Sequence, residues 1–410
     1  MDFLEDDPAM FAENSIRMGK RKADGDGSYA RQKIKKPLPL KDVPRNFYRF
    51  GLTPNLLIKR LRALPEPDLI MITAMMTYWY PGLFDAISLV KNVCPHAPVV
   101  IGGNYVSLSP EHASKSGADF LLPGPGEVSL PALLKELFKM DMQVLPDPHN
   151  LDSYPYPAFD LLHNPGGLPI ITSRGCPYRC SYCASHLLHP GFYRRNPARV
   201  VDEIEFWHVR YGVKNFSFYD DALLVNLQEM AIPLLKEIVG RNLSLQFHCP
   251  NGLHLREINE EITILMRQAG FKTIRFGFET SDLMRQKQTG GKVTNEELAT
   301  AIRHLKNAGY SSCEIGIYIL CGLPGQPAGE VADSIEYVQS VGAHPILTEY
   351  SPIPGTELWS DAVASSSYPI AEEPLFQNNT LLSCRSESLT MEAYHKLKLM
   401  TRCRLDMEDA

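Results

Sequence analysis

The sequence predicts an α/β protein with two parallel-sheet domains in one chain. Strand and helix signals alternate from residue 54 to residue 140, and they resume and repeat about six times over residues 168–357. Between them, residues 141–167 are rich in Pro, Asp and Asn, which is typical of a linker. These observations predict an open parallel sheet covered by helices, followed by a parallel barrel that is two strand–helix units short of eight.

Residues 1–53 carry an acidic start and then a basic, Gly-containing run. Few large apolar residues and no sustained period occur there, so we predict a linker-like, largely irregular segment. A nucleic-acid-binding arm is the alternative interpretation.

Residues 54–140 show the apolar periods of alternating helices and strands. The predicted helices are 54–64, 81–93, 111–116 and 130–139, and the predicted strands are 68–74, 98–102 and 119–122.

The same alternation predicts the barrel units of residues 168–357. Residues 358–410 have a weaker pattern, with one helix predicted at 390–401, and we treat them as a carboxyl-terminal extension. The predicted barrel strands are 170–173, 215–219, 243–248, 273–278, 314–320 and 345–350, and the helices between them are 198–211, 227–239, 259–269, 295–307 and 331–341.

Composition restricts the class of protein. A net charge of -6, with acidic residues spread along the 410 residues, gives no general basic field and argues against a nucleic acid partner. The apolar runs are too short to cross a bilayer and no signal peptide opens the chain, so we expect no membrane partner. Nine cysteines without a regular framework suit a reducing compartment, and we predict a cytoplasmic protein.

Three cysteines lie on the short loop after the first predicted barrel strand. Cys176, Cys180 and Cys183 have a three-then-two spacing, and no fourth cysteine is close in sequence. Three thiolates on one loop can hold three corners of a [4Fe–4S] cluster and leave one iron open for a ligand that must react. A structural zinc site, with His186 or His189 as the fourth ligand, is the alternative, but a second paired motif is absent from the sequence.

This motif, with Tyr182 at its aromatic position, resembles the Cys-x3-Cys-x-aromatic-Cys signature of the radical S-adenosylmethionine (SAM) superfamily. The resemblance implies a partial (β/α)6 TIM-like barrel, a [4Fe–4S] cluster, and SAM on the open iron with Tyr182 near its adenine. In that family the reduced cluster cleaves SAM and gives a 5'-deoxyadenosyl radical, which abstracts a hydrogen from the substrate. An electron donor such as flavodoxin or ferredoxin is the implied partner.

Residues 54–140 resemble the Rossmann-like cobalamin-binding domain that precedes the barrel in one branch of this superfamily. The resemblance is carried by the loop of residues 73–82, by the Gly102-Gly103 strand end, and by the Gly-Pro-Gly-Glu turn of residues 124–127. It implies cobalamin as a cofactor, with Gly102, Gly103, Gly126 and Glu127 among the binding residues.

Two departures from the cobalamin-binding pattern occur. The family's opening strand and helix have no counterpart before residue 54, so we expect an incomplete, truncated domain. The Asp-x-His-x-x-Gly motif, the usual source of a histidine ligand to cobalt, is absent from the sequence of this region. A Rossmann-like remnant that serves only for packing or substrate cover is therefore the alternative.

Candidate site residues lie at the carboxyl ends of the predicted barrel strands, where reactive residues of parallel barrels cluster. Asp220 is expected to face SAM or the substrate, whereas Asp221 is as readily a helix cap. His248 is a candidate proton donor or acceptor, with a packed histidine as the alternative. Asn251 can orient a polar ligand group through its amide.

Two later strand ends resemble further family segments. Gly277 and Glu279 lie in a Gly-x-Glu-Thr segment whose glutamate is near SAM in the family, although a salt bridge from Glu279 to Arg275 or Arg285 is the alternative. Gly322 and Gly325 lie in a Gly-Leu-Pro-Gly turn that resembles the adenine side of the family's SAM pocket. From these resemblances and from the positions at strand ends, we expect catalytic roles for the three cysteines, Glu279 and Asp220, and cofactor contacts for Tyr182, Asn251, Gly277, Glu279, Gly322 and Gly325.

The sequence thus predicts a radical SAM enzyme that modifies an unidentified small-molecule or peptide substrate. If cobalamin binds, methylation of an unactivated carbon is the expected reaction. Radical oxidation, cyclisation or rearrangement without cobalamin is one alternative, and a metal-binding protein without turnover is another. A methylthio-transferring enzyme acting on RNA is disfavoured by the acidic balance and by the lack of a basic carboxyl-terminal module.

Overall fold

The computed structural model describes residues 4, 16–17, 19–20, 27–162 and 166–402. The chain divides into two compact units. Unit 1 comprises residues 1–145, 157–166 and 371–377, and unit 2 comprises residues 146–156, 167–370 and 378–410. The segment 371–377 belongs to unit 1 because it packs there, with the Tyr80 hydroxyl donating to Glu373 Oε2 at 3.2 Å.

Unit 1 contains an antiparallel sheet, and after it a parallel sheet with helices. Its elements are β1 (Ile16–Arg17), β2 (Arg31–Ile34), β3 (Phe47–Phe50), α1 (Pro54–Arg62), β4 (Ile70–Thr73), α2 (Tyr80–Val93), β5 (Val99–Gly102), α3 (Asn104–Leu108), α4 (Pro110–Ala113), β6 (Phe120–Leu122) and α5 (Gly126–Phe138). The sheet orders are β1-β2-β3 and β4-β5-β6.

Within residues 1–53, which the sequence predicts to be largely irregular, the described residues include this antiparallel sheet. Strand β2 pairs with β3 from Arg31 opposite Phe50 to Ile34 opposite Phe47. Ala30, directly before β2, and Leu52, shortly after β3, are buried together in a small core. The side chains of both strands are only partly buried or exposed, so the sequence lacks the clear apolar alternation that marks a strand. The acidic residues Asp2, Glu5, Asp6 and Asp7 lie outside the described residues.

The parallel sheet of unit 1 has the predicted alternation of strands and helices. The central strand β5 is an uninterrupted apolar run, because it pairs with β4 and β6 on its two edges and is covered by helices. Its residues Val99 and Ile101 share a core with Ile87 and Val90 of α2. The carboxyl ends of the three strands therefore lie side by side at one edge of the sheet.

Unit 2 is built from strands that alternate with helices. Its elements are β7 (Leu168–Ile170), β8 (Ser173–Arg174), α6 (Ser185–Leu188), β9 (Tyr193–Arg194), α7 (Pro197–Tyr211), β10 (Asn215–Phe218), α8 (Ala231–Arg241), β11 (Gln246–His254), α9 (Glu260–Ala269), β12 (Phe271–Glu279), α10 (Leu283–Gln288), α11 (Asn295–Asn307), β13 (Ile315–Cys321), α12 (Ala328–Ser340), β14 (His344–Glu349), α13 (Trp359–Ser365) and α14 (Met391–Met400).

Six of these strands form one parallel sheet in the order β14-β13-β12-β11-β10-β7. The strand order follows the chain order, as in a β/α barrel, and each step between neighbours includes a helix. Strands β7 and β14 are the two edges, which confirms the prediction of a partial barrel of six units. In the part of the chain that the structure describes, the helices are too short or too polar to cross a bilayer.

Strand β11 is longer than the sequence predicts. Residues 250–252 read as a turn because they are Pro-Asn-Gly, yet the strand continues through them to His254. A shift in register between Cys249 and Leu253 takes up the irregular residues, after which Leu253 pairs with Phe276 and His254 with Gly277. The carboxyl end of β11 therefore lies at His254 and not at the predicted His248.

We predict opposite effects for two Gly→Ala substitutions in neighbouring helices. Gly270 ends α9 with a φ of +94°, and an added Cβ would lie 2.4 Å from the Leu245 carbonyl oxygen. Gly270→Ala should therefore lower the free energy of unfolding by about 2 kcal/mol or more. Gly240 lies in α8 with open space around its Cα, so Gly240→Ala should raise it by about 0.5 kcal/mol.

Chemical denaturation of the full-length variants, monitored by circular dichroism, measures both changes in the free energy of unfolding. Equal effects of the two substitutions would contradict the described geometry at Gly270.

Candidate active site

The loop that carries the three cysteines follows β7 and β8 at the carboxyl edge of the six-stranded sheet. The Ser181 hydroxyl donates to the Gln288 carbonyl oxygen at 2.9 Å, and the Leu358 amide donates to the Ser181 carbonyl oxygen at 2.9 Å. A Cβ on Gly290 would lie 3.1 Å from the Cα of Cys180, so that segment also packs closely against the loop. The loop is therefore held by two distant parts of unit 2.

The thiols of Cys176, Cys180 and Cys183 are partly buried and free of disulfides. Burial raises the pKa of Cys176 to about 11, and the charges of Cys180 and Cys183 contribute to the rise. Among the described residues, no three Cys, His, Asp or Glu side chains converge as ligands of one metal ion. In a four-iron cluster each thiolate holds a different iron, so three thiols on one loop are the ligands that such a cluster would use.

Asp220 lies directly behind the cysteine loop and is buried. Its carboxylate accepts hydrogen bonds from the amides of Thr172 and Ser173 at 2.9 and 2.6 Å, and from both hydroxyls at 2.7 Å. Burial raises the pKa of Asp220 to about 6, although these hydrogen bonds oppose the rise. The expectation that Asp220 faces SAM or the substrate is therefore corrected, because its oxygens bind the backbone that leads into the loop.

Glu279 ends β12 and joins two groups around the cysteine loop. Its Oε1 accepts from the Tyr182 hydroxyl at 2.8 Å and from Lys292 Nζ at 3.2 Å. Burial, followed by the charge of Glu279, raises the pKa of Tyr182 well above its usual value. Burial would lower the pKa of Lys292, but Glu279 and Cys180 outweigh that effect and raise it. The ammonium of Lys292 therefore stays charged beside the loop.

The backbone around Glu279 is adapted to this arrangement. Glu279 has a φ of +74°, which residues other than glycine seldom adopt. A Cβ on Gly277 would lie 2.3 Å from Lys292 Nζ and 2.7 Å from Glu279 Oε1, so the ion pair in this position occupies the space that a side chain at Gly277 would need. Arg285, one of the alternative partners expected for Glu279, pairs instead with Glu330 at 3.1 Å.

His254 lies at the end of β11, where its ring stacks on Tyr178 with centroids 4.5 Å apart. Tyr178 belongs to the cysteine loop, between Cys176 and Cys180. Burial, together with the charges of Lys292 and Arg256, lowers the pKa of His254 to about 3. The imidazole is therefore uncharged at neutral pH.

The turn with Gly322 and Gly325 is closed by the buried side chain of Gln326. Its Oε1 accepts from the Gly322 amide at 2.9 Å and from the Leu323 amide at 3.2 Å, and its Nε2 donates to the Leu320 carbonyl oxygen at 3.1 Å. This turn follows β13 at the same edge of the sheet as Glu279 follows β12.

A cavity of about 470 Å³ opens beside these strand ends. Asn251 donates to the Tyr219 carbonyl oxygen at 2.9 Å, so its amide fixes the end of β10. His248 lies deeper in the sheet, within 3.1 Å of Thr273 Oγ1 and 3.3 Å of Asn215 Oδ1, as expected for a packed histidine. The cavity is lined by Asp221, Pro250, Asn251, Gly252, Tyr318 and Thr348.

A second edge of interest is the carboxyl edge of the parallel sheet in unit 1. Gly103 follows β5 with a φ of +91°, and an added Cβ would lie 2.5 Å from Thr73 Oγ1 and 2.7 Å from the Ala74 carbonyl oxygen. A Cβ on Gly102 would lie 3.3 Å from the Leu122 carbonyl oxygen. The backbones of β4, β5 and β6 therefore approach one another closely at this edge.

The loops at this edge present open backbone and apolar side chains. At Gly124 and Gly126 an added Cβ would meet no atom within 4 Å, and Glu127 lies in the first turn of α5. The exposed apolar side chains near these loops are Met75, Met76, Trp79 and Val128. Open backbone beside apolar side chains fits the face of a large ring with polar substituents.

Lys292, His254 and Tyr178 are site residues that the sequence interpretation missed. Lys292 follows two glycines after a short helix, and a lysine in a glycine-rich turn is a weak signal for a bound anion. His254 lies beyond the expected end of its strand, so the sequence pattern does not mark it as a strand-end residue.

Two family models match the chain, and they agree with both resemblances drawn from the sequence. Residues 170–338 match the model described as the radical SAM superfamily, and residues 51–134 match the model described as the B12 binding domain.

Among curated proteins, an uncharacterised methyltransferase of Pyrococcus horikoshii is 27% identical over 73% of this chain and 70% of its own length. The cytidylyl-2-hydroxyethylphosphonate methyltransferase of Streptomyces wedmorensis is 22% identical over 82% and 74%. Among solved structures, the radical SAM methyltransferase TsrM from Kitasatospora setae, with tryptophan and a SAM analogue bound, has a TM-score of 0.66 and 17% identity, with coverage of 86% and 81%. At that identity, the likeness shows a shared fold.

We predict that Asp220→Ala destabilises unit 2 by about 3 kcal/mol, because buried backbone amides and hydroxyls lose their acceptor. Asp220→Asn should cost less, since the amide oxygen still accepts from one or both backbone amides. Denaturant unfolding of both variants measures the difference. Equal losses of stability in the two variants would contradict the assignment of the loss to the missing acceptor.

Proposed function

Because the chain belongs to the radical SAM superfamily and carries a B12 binding domain ahead of the barrel, we propose that it is a cobalamin-dependent radical SAM methyltransferase. The observation that carries the proposal is the set of three free thiols on one anchored loop, beside the ion pair of Glu279 and Lys292. The named methyltransferases among its relatives support the reaction class.

Cys176, Cys180 and Cys183 are the residues that would hold the [4Fe–4S] cluster. Once bound, cluster and SAM together supply a reactive radical, which the protein must orient and shield from water. The raised pKa of Cys176 means that binding has to displace a proton from its thiol. Lys292 favours the thiolate form, because its buried ammonium lies near Cys180 and Cys176.

Glu279 and Tyr182 would contact SAM beside the cluster. The Glu279 carboxylate has a second oxygen besides the one that accepts from Tyr182 and Lys292, and a carboxylate can hold an ammonium or a ribose hydroxyl. Tyr182 is fixed by its hydrogen bond to Glu279, so its ring is oriented before any ligand arrives. The turn of Gly322 and Gly325 is fixed in the same way by Gln326.

The carboxyl edge of unit 1 would bind cobalamin, whose chemistry is the carriage of a methyl group. Gly102 and Gly103 keep the strand ends close, and the open backbone at Gly124 and Gly126 leaves room for a polar substituent of the corrin. The exposed apolar side chains at this edge, among them Trp79 and Val128, would cover its ring.

The cavity beside the barrel strands would hold a small molecule or a short peptide side chain. Its volume of about 470 Å³ lies in the range of small-molecule sites, about 300–1,000 Å³. The lining carries a carboxylate, an amide and two hydroxyl groups, so a substrate with several hydrogen-bonding groups is favoured over a hydrocarbon. A small one-electron carrier protein completes the proposal as the reductant.

The cysteine assignment predicts a defined iron content. Anaerobically reconstituted protein should bind about four irons per chain and release 5'-deoxyadenosine or methionine from SAM under reduction. Replacing Cys176, Cys180 or Cys183 by Ala should lower iron content and abolish SAM cleavage. Cys384→Ala is the control, because this buried thiol lies on the carboxyl-terminal segment and should leave both properties unchanged. Full iron loading in the triple variant would refute the assignment.

Cobalamin binding is tested at Val128, which is 58% exposed in the first turn of α5. Val128→Glu should lower the cobalt content of protein purified with hydroxocobalamin about tenfold, because a charge on an apolar contact surface costs one to several kcal/mol. The same change at Val144, which is 81% exposed outside this edge, is the matched control. A carboxylate near a helix N-terminus does not weaken the helix, so the fold should persist.

Cobalt that is retained equally by both variants would place cobalamin elsewhere. Iron without any cobalt in the wild-type protein would remove corrin-dependent methyl transfer from the proposal.

A further inference from the structure

The Nδ1 atom of His254 is buried without a hydrogen-bond partner among the described residues. The residue as a whole is 3% exposed. A buried polar group without a partner is unfavourable, so the position of Nδ1 points to a partner that the described residues do not supply.

The ring of His254 is held in one orientation. Tyr178 stacks on one side at a centroid distance of 4.5 Å, with 25° between the planes. The pairing of β11 with β12 fixes the backbone, since His254 lies opposite Gly277. Because the stack restrains the ring and the strand pairing restrains the backbone, Nδ1 has a defined position.

The surroundings of His254 place it at the cysteine loop. Tyr178 is two residues from Cys176 and from Cys180, so the stack ties the imidazole to the chain between two thiols. The positive charge of Lys292 lowers the pKa of His254, and Lys292 also interacts electrostatically with Cys180 and Cys176. Arg256 adds a second positive charge near the ring. The positive charges of Lys292 and Arg256 favour an electron-rich partner for the ring.

An uncharged imidazole has one N–H and one bare nitrogen, and either nitrogen can carry the proton. If the proton is on Nδ1, the missing partner is an acceptor. The sulfurs of an iron–sulfur cluster are acceptors without hydrogens, and hydrogen bonds to them are one of the factors that set the reduction potential.

We propose that His254 donates a hydrogen bond from Nδ1 to a sulfur of the [4Fe–4S] cluster and thereby makes the cluster easier to reduce. The proposal rests on the cluster assignment given above. The reduced cluster carries one more negative charge than the oxidised cluster, so a donor to its sulfur stabilises the reduced form more. The stack on Tyr178 would hold the donor in place while the oxidation state changes.

The test compares reduction potentials of the reconstituted full-length protein. The reduced cluster is followed by electron paramagnetic resonance during an anaerobic potential titration without SAM. His254→Phe keeps a ring on Tyr178 and removes both nitrogens. We expect its midpoint to shift to more negative potential, with about a fivefold lower ratio of reduced to oxidised cluster at the wild-type midpoint, the effect of one net hydrogen bond.

His254→Asn supplies the rescue variant, because the amide nitrogen of Asn lies near the position of Nδ1 and can donate. Its potential should return most of the way to the wild-type value. His395→Phe is the matched control, because it makes the same change at an exposed histidine of α14, outside the candidate site. That variant should leave the potential unchanged.

A direct measurement on the wild-type protein covers the case in which His254→Phe does not fold. Protein labelled with ¹⁵N-histidine should show a weak nitrogen coupling to the reduced cluster in pulsed electron paramagnetic resonance, and His254→Asn should lack it. Absence of the coupling in the wild-type protein, or an unchanged potential in a well-loaded His254→Phe, overturns the role of His254 and leaves the cluster assignment intact. Failure of the wild-type protein to bind iron at the three cysteines refutes the proposed function itself.

Discussion

The hydrogen bonds from Thr172 and Ser173 to the buried carboxylate of Asp220 are the constraint on which the site in unit 2 depends. They join the ends of β7 and β10 at the point where the chain leaves the sheet for the cysteine loop. Two backbone amides and two hydroxyls on one carboxylate leave few alternative conformations for that segment. The direction in which the loop departs, and with it the position of Cys176, is therefore set by the sheet.

A second constraint is the balance of charge around the loop. Glu279 and Lys292 are largely buried together, which is tolerated because each compensates the other and Tyr182 donates to the same oxygen. The absence of a side chain at Gly277 makes the space for this ion pair. Replacing thiols by thiolates would add negative charge next to Lys292, so the protein provides a cation where its proposed cofactor would bring anionic ligands.

The candidate site of unit 1 differs from that of unit 2 in the kind of groups that line it. Its edge offers backbone and apolar surface instead of charged groups, and Gly103 is required there because a Cβ would collide with Thr73 and Ala74. The helix α5 begins directly after the open turn at Gly124, with Glu127 in its first turn. Such an edge suits a large, mostly apolar ring whose polar substituents can bind backbone groups.

The sequence by itself determined the spacing of Cys176, Cys180 and Cys183, the alternation of strands and helices, and the sequence of residues at each strand end. These are local properties, because the thiol spacing and the apolar period depend only on residues that are close in sequence. Only the tertiary structure decided that Asp220 binds backbone instead of a ligand, that Lys292 is the cation on Glu279, and that β11 runs through Pro250 to His254. Each of these depends on a partner at least 13 positions away in the chain or on pairing with another strand, and single-sequence patterns carry no record of such contacts.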